Sequence, residues 1–144
     1  MADDVIAAAA GLSDDPVIAD KLGGLGEAVS AALAMLTGPV TIVNGDCPCV
    51  TSEELAELTA RAPALVAARD GTTNAIALAD ATDFASLYGP GSADRFEAHL
   101  GARRLDLAGL RDDVDTWDDL ERVRDRVGSH TQGYLLQLER ARAS

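Results

Sequence analysis

The stretch Val40–Thr51, VTIVNGDCPCVT, decides how the chain is organised. Val40, Ile42 and Val43 form a short apolar β-branched run, bounded by Gly38-Pro39 in front and Asn44-Gly45 behind. Such punctuation marks a buried strand. Asp46 then stands just past the strand end. Cys47-Pro48-Cys49 keeps the backbone irregular there, and Thr51-Ser52-Glu53-Glu54 has the form of a capping box. The helix it opens runs to about Ala62, with Leu55 and Leu58 inward. Ligands of open α/β sheets bind beyond the carboxyl ends of strands, so Asp46 is the first candidate for chemistry. The alternative is a turn aspartate with no chemistry.

Upstream, Asp3 and Asp4 begin an alanine-rich helical pattern through about Leu12, where their charge complements the helix dipole. A loop at Ser13–Pro16 and a short strand at Pro16–Ala19 follow. Lys21–Gly26 is a glycine-rich turn into a helix from Glu27 to about Leu36, with Val29, Leu33 and Leu36 at helical spacing. Downstream, Ala64–Ala68 and Asn74–Leu78 read as strands around a turn at Arg69–Thr73. A short helix is expected near Asp83–Leu87, and Ser92 is expected to cap a helix over Ala93–Leu100. Arg104–Leu107 alternates as an edge strand does. Thr116 and Asp119 open a helix to about Val127, and Gln132–Arg142 forms the last one. Strands alternating with helices, without repeat or linker, predict one three-layer α/β domain over residues 1–144.

The totals narrow the function. At 144 residues the chain suits one domain with a real core. Its 47% hydrophobic but only 3% aromatic composition makes that core of Ala, Leu and Val. A net charge of −12 argues against nucleic acid as a partner. Lys21 is the only Lys or Arg before Arg61, so a phosphorylated ligand held by the first part of the chain needs backbone amides or a metal ion. Two cysteines spaced C-x-C make no disulfide framework, and a reduced, cytoplasmic location is the default expectation. No apolar run is long enough to span a membrane, and Met1–Asp4 is unlike a leader sequence.

Several loops carry candidate residues, each with a plain alternative. Gly23-Gly24-Leu25-Gly26 matches neither a dinucleotide fingerprint nor a P-loop, and taken alone is a turn. Gly89-Pro90-Gly91-Ser92 ends at a helix start, where free amides favour an anion, or is a structural turn. Asp113-Val114-Asp115 sets two carboxylates on one side of an extended segment. With Asp46 they make three acids for a hard cation such as Mg²⁺; the alternative is a charge cluster at a helix start. His99 and His130 lack metal-spaced partners and read as surface residues. The CxC pair without further cysteines is poor for zinc, Trp117 reads as packing, and Glu121–Arg126 reads as a solvated helix face.

The order of these pieces is more specific than any one of them. GLGEAVSAAL (24–33), IVNGDCPCVT (42–51), RDGTTNA (69–75), YGPGS (88–92) and RDDVDT (111–116) before Asp119-Leu120 occur in sequence. Together they resemble the phospholactate/phosphoenolpyruvate guanylyltransferases, which make the precursor of the deazaflavin coenzyme F-420. The resemblance runs from about residue 2 to 128. It implies a Rossmann-like nucleotidyltransferase domain of the nucleotide-diphospho-sugar transferase kind. The implied reaction joins the phosphate of 2-phospho-L-lactate or phosphoenolpyruvate to the GMP part of GTP, releasing pyrophosphate.

Carried over by position, the resemblance implies Asp46, Asp113 and Asp115 as catalytic Mg²⁺ carboxylates. It implies Thr72, Thr73, Gly89 and Ser92 as the pocket for the phosphorylated three-carbon acid, and Gly24, Leu25 and Asn44 on the nucleotide side. Family members begin with a strand, a glycine/basic loop that binds the triphosphate, a helix and a second strand. This sequence opens at the segment that would follow them, so an N-terminally incomplete sheet and a homo-oligomer are expected. The other functional reading is a non-catalytic homologue acting as an oligomeric or small-molecule-binding module. Which acid is accepted stays open, as does the base, with cytosine or adenine as alternatives to guanine.

Overall fold

The computed structural model describes residues 1–12, 17 and 23–143. In chain order the elements are α1 (Ala2–Ala9), α2 (Leu25–Leu33), β1 (Val40–Val43), α3 (Ser52–Ala60), β2 (Ala64–Ala67) and β3 (Thr73–Leu78). A 3₁₀ turn at Ala81–Asp83 precedes α4 (Ser92–Leu100), β4 (Arg103–Arg104), α5 (Ala108–Arg111) and α6 (Trp117–Val123). A second 3₁₀ turn at Arg124–Arg126 then leads to α7 (Ser129–Arg142). The strand expected at Pro16–Ala19 lies outside the described residues apart from Val17, which is in no regular element.

The four strands pair in the order β1-β3-β2-β4. β3 runs antiparallel to both its neighbours, and only β2 and β4 are parallel. Chain length dictates this mixture. Residues 68–72 alone separate β2 from β3, and a parallel connection needs a dozen residues or more. In the turn, Gly71 takes φ 85°, and the Asp70 carboxylate accepts from the Thr72 amide at 2.9 Å and hydroxyl at 2.7 Å.

Every residue of β3 is buried, so both faces of the sheet are covered. Ala75 and Ala77 join Ala64 and Val66 of β2 in a core with Val5 and Ala8 of α1, Leu55 and Leu58 of α3 and Leu110 of α5. Leu65, Ile76 and Leu78 point the other way, against Val29 and Leu33 of α2 and Ala93 and Phe96 of α4. The period of two in β2 and β3 thus sorts side chains between two helical layers, and the expected three-layer α/β arrangement holds.

Local signals place most element ends. Thr51 accepts from the Glu54 amide and Glu54 from the Thr51 amide, both at 3.2 Å, closing the expected capping box of α3. Thr116 and Asp119 do the same for α6. Other expectations are corrected. The helix near Asp83–Leu87 is only the 3₁₀ turn, where Asp80 accepts from the Thr82 amide at 2.9 Å. Ser92 does not cap α4: Gly91, at φ 69°, is the cap residue, and Ser92 becomes the first helical residue with its hydroxyl turned inward. The edge strand is Arg103–Arg104 alone, and α6 passes into a 3₁₀ turn before Val127. Leu36 falls beyond α2 and is exposed.

Asp4 does more than complement its own helix. Its buried carboxylate accepts from the backbone of His130 at 2.9 Å and Thr131 at 3.0 Å, and from the Thr131 hydroxyl at 2.5 Å. An acid in α1 thereby satisfies the free amides that open α7, which starts at Ser129 rather than Gln132. Asp4→Ala is expected to lower the unfolding free energy by about 2 kcal/mol, the range for charge-assisted hydrogen bonds lost from a buried group, measurable by urea denaturation.

Candidate active site

The carboxyl ends of β1 and β2 and the start of β3 share one end of the sheet, since Val43 pairs with Ala75 and Ala67 with Thr73. The candidate residues gather there. The Asn44 amide bonds to the Asn74 carbonyl at 2.9 Å, and its side chain to the Thr73 carbonyl at 3.2 Å. The chain leaving β1 is therefore held against β3. Asp46 follows two residues after Asn44, and its carbonyl accepts from the Val114 amide at 2.9 Å. That bond brings the Asp113–Asp115 segment beside the β1 exit.

Asp46 and Asp113 are consequently close enough to interact. Burial raises the pKa of the Asp113 carboxyl above its ordinary value, and the charges of Asp46 and Asp115 add to the rise. A contact with the Asn74 amide pulls the other way. Asp115 is exposed, with its backbone amide bonded to Asp119 at 3.3 Å. Among the described residues, no three His, Cys, Asp or Glu side chains stand together as a metal-binding group. The expected three-carboxylate set is thus present as a pair, with Asp115 beside it. Such a pair fits the chemistry of Mg²⁺, which is often held by one or two carboxylates and completed by waters and substrate phosphates.

Thr73 and Ser92 are brought together, but facing inward. Their hydroxyls lie 2.9 Å apart and are buried, while Thr72 bonds to Asp70 at the surface. The loop before α4 is stitched to the β2–β3 turn by the Ala93 amide on the Gly71 carbonyl at 3.2 Å. Arg95 wraps that loop, with Nη1 on the Pro90 carbonyl at 2.7 Å and Nη2 on the Leu87 carbonyl at 2.9 Å. Gly89, at φ 118°, lies against this guanidinium. Gly24 caps α2 at φ 143° and Leu25 packs into the α2/α4 layer. Next to them Gly26 leaves no room for a side chain, because a Cβ would meet the Ser86 hydroxyl at 1.8 Å. Gly24 and Leu25 therefore belong to the opposite layer from Cys47, which packs with α3 and α5.

One residue that the sequence does not single out is central. Asp112 has 0% exposure. It accepts from Arg69 Nε and Nη2 at 2.8 Å, Arg126 Nη2 at 2.6 Å and Arg111 Nε at 3.3 Å. Burial works to raise its pKa, but the hydrogen bonds of Arg126 and Arg69 and the charge of Arg69 outweigh it and hold the carboxyl below its ordinary value. Arg126 is therefore not part of a merely solvated face. No local pattern could have found this cluster, because its arginines come from three separate parts of the chain. Trp117 is also corrected: it is 48% exposed and lies under the Arg142 guanidinium, 5.6 Å from the ring centre, instead of in a core. The histidines are at the surface, as expected, with His99 Nε2 3.1 Å from the Asp83 carbonyl.

The acidic pair thus stands beyond the carboxyl end of β1 in a mixed α/β sheet. No protein-family model matches the chain. It is 37% identical over 129 residues to the phosphoenolpyruvate guanylyltransferase of Nocardia farcinica, covering 81% of this chain and 56% of that protein. It is 33% identical over 133 residues to phosphoenolpyruvate guanylyltransferase 2 of Rhodococcus jostii, covering 84% of this chain and 62% of that protein. The chain thus shares ancestry with the phosphoenolpyruvate guanylyltransferases and spans less than two thirds of the length of these relatives.

Both cysteines adjoin this site and both are buried. Burial, followed by the charge of Asp46, raises the Cys47 thiol pKa, and burial likewise raises that of Cys49. Thiolates are the reactive form, so the folded chain is expected to show no reaction with Ellman's reagent at pH 8 and full reaction of both thiols in guanidinium chloride.

Proposed function

We propose that the chain is part of a guanylyltransferase that transfers the GMP portion of GTP to phosphoenolpyruvate, or to 2-phospho-L-lactate, in the formation of coenzyme F-420. The observation that carries this reading is the Val114–Asp46 hydrogen bond, which sets Asp46 beside Asp113 at the sheet end in a chain homologous to proteins of that name. A phosphate oxygen of the acceptor forms a new bond to the α-phosphorus of GTP, and the bond to the β-phosphate breaks as pyrophosphate leaves. The attacking oxygen is already ionised, so no general base is required. Both reactants are anionic, and a bound divalent cation would supply the neutralising charge.

In this reading Asp46 and Asp113 would hold Mg²⁺, with Asp115 as the third acid of the segment. The loop at Gly89–Ser92 and the turn at Thr72-Thr73 face the acceptor, chiefly through backbone groups, because the hydroxyls of Thr73 and Ser92 bond to each other. Gly24, Leu25 and Asn44 belong to the nucleotide side. The sheet is of the Rossmann-like nucleotidyltransferase kind, working in the cytoplasm on small molecules.

The test takes the ligands separately. Mn²⁺, as a Mg²⁺ surrogate, is expected to bind the wild-type chain and to bind Asp46→Asn at least about tenfold more weakly. Phosphoenolpyruvate is expected to raise the melting temperature only when the divalent ion is present, by mass action. A metal-independent shift would favour a binding module instead, and no shift with either ligand would overturn the proposal.

The two sheet edges differ. β4 exposes Arg103 and Arg104, the charged edge that discourages pairing. Among the described residues β1 is also an edge, but it is half-buried and carries no charge. We infer that β1 pairs with a second copy, giving a homo-oligomer. Light scattering is expected to show a dimer or larger species that Thr41→Lys reduces to a monomer, and a monodisperse wild-type monomer would rule this out.

A further inference from the structure

Asp113 sits between two anchored neighbours. On one side is Asp112, buried beneath Arg69 at the exit of β2, Arg111 at the end of α5 and Arg126 after α6. On the other is Val114, whose amide holds the Asp46 carbonyl and whose side chain is buried with Cys49 and Val123. Asp113 itself is only half-buried and feels the like charge of Asp46. Two carboxylates that repel one another drift apart unless the backbone behind them is fixed. The segment from Asp112 to Thr116 has no helix or strand to fix it. Behind Asp113 it is held by the Val114 amide on Asp46 and the ionic tether of Asp112, while Asp119 fixes its far end through the amides of Asp115 and Thr116.

We propose that Asp112 is a positioning residue: through Arg69 and Arg126 it holds Asp113 against Asp46 and so sets how tightly that pair binds a divalent cation. This rests on the reading of the pair as a cation site. The tether suits such a role because its partners come from different elements. Arg69 belongs to the β2–β3 turn and Arg126 to the 3₁₀ turn before α7, so the segment is braced between the sheet and the last helices. Supporting groups of this kind typically govern metal affinity by one to two orders of magnitude without touching the metal.

The test compares wild type, Asp112→Asn and Asp4→Asn. Asp4 is a buried, hydrogen-bonded acid in the α1–α7 contact and makes none of the bonds of the Asp112 tether, so its substitution supplies general destabilisation for comparison. Mn²⁺ affinity is read by electron paramagnetic resonance at a temperature where circular dichroism shows each variant folded. Asp112→Asn is expected to weaken Mn²⁺ binding about tenfold and to speed hydrogen exchange at the amides of residues 113–115. Asp4→Asn is expected to lower the melting temperature while leaving Mn²⁺ affinity within about twofold, because its hydrogen bonds go to His130 and Thr131 and not to the 112–115 segment. Should Asp112→Asn fail to fold, Arg126→Gln and Arg69→Gln, whose side chains are about half exposed, carry the same measurement. Unchanged Mn²⁺ affinity in a folded tether variant, or an equal loss in Asp4→Asn, overturns the proposal. Absence of Mn²⁺ binding by wild type removes the cation site itself, and the inference with it.

Discussion

The rest of the structure depends on a strand that is buried throughout and begins with two polar residues. Thr73 and Asn74 open β3 with almost no exposure, and buried polar groups must find partners. Thr73 finds Ser92 at the start of α4. The Asn74 side chain donates to the carbonyls of Leu110 at 3.0 Å and Arg111 at 3.3 Å, at the end of α5. Their backbone carbonyls accept from Asn44, where β1 ends. Two residues thereby fasten the β1 exit, α4 and the segment after α5 to one end of the sheet. The candidate site lies there because that end is where the polar groups of the core are satisfied.

Charge follows the same economy of place. The chain carries a net charge of −12, yet several arginines are held by specific acceptors. Arg95 holds three carbonyls of one loop, Arg104 bridges Asp94 and Glu97, and Asp112 gathers three more. Exposed ion pairs of this sort contribute little to stability. The fully desolvated carboxylate of Asp112 is different, because removing any one partner leaves a buried charge less well matched.

The sequence was readable wherever neighbouring residues settle the outcome. β1, β2 and β3 appear as apolar runs between turn residues, and the two capping boxes are four-residue patterns that fold as written. The antiparallel return of β3 was also legible in the shortness of residues 68–72. Ser92 shows where local reading fails. Its type and position suit a cap, but a left-handed glycine before it and a buried threonine across from it give the hydroxyl another use. Asp4 and Asp112 fail more completely, since their partners are brought near only by the finished fold. Of the three acids expected to converge, Asp46 and Asp113 meet because Val114 bonds across to β1's exit, which no spacing rule encodes.

The carboxylate of Asp4 joins residues 126 and 127 positions apart, and this has a consequence for folding order. Closing so long a loop in a disordered chain costs entropy that a few hydrogen bonds cannot offset. The contact therefore forms after the sheet has gathered the intervening chain, when the remaining distance is short. It acts as a late lock on a nearly finished domain, and it belongs to the unfolding limb of the kinetics more than to the folding limb. A chain fastened in this way resists opening without being helped to fold.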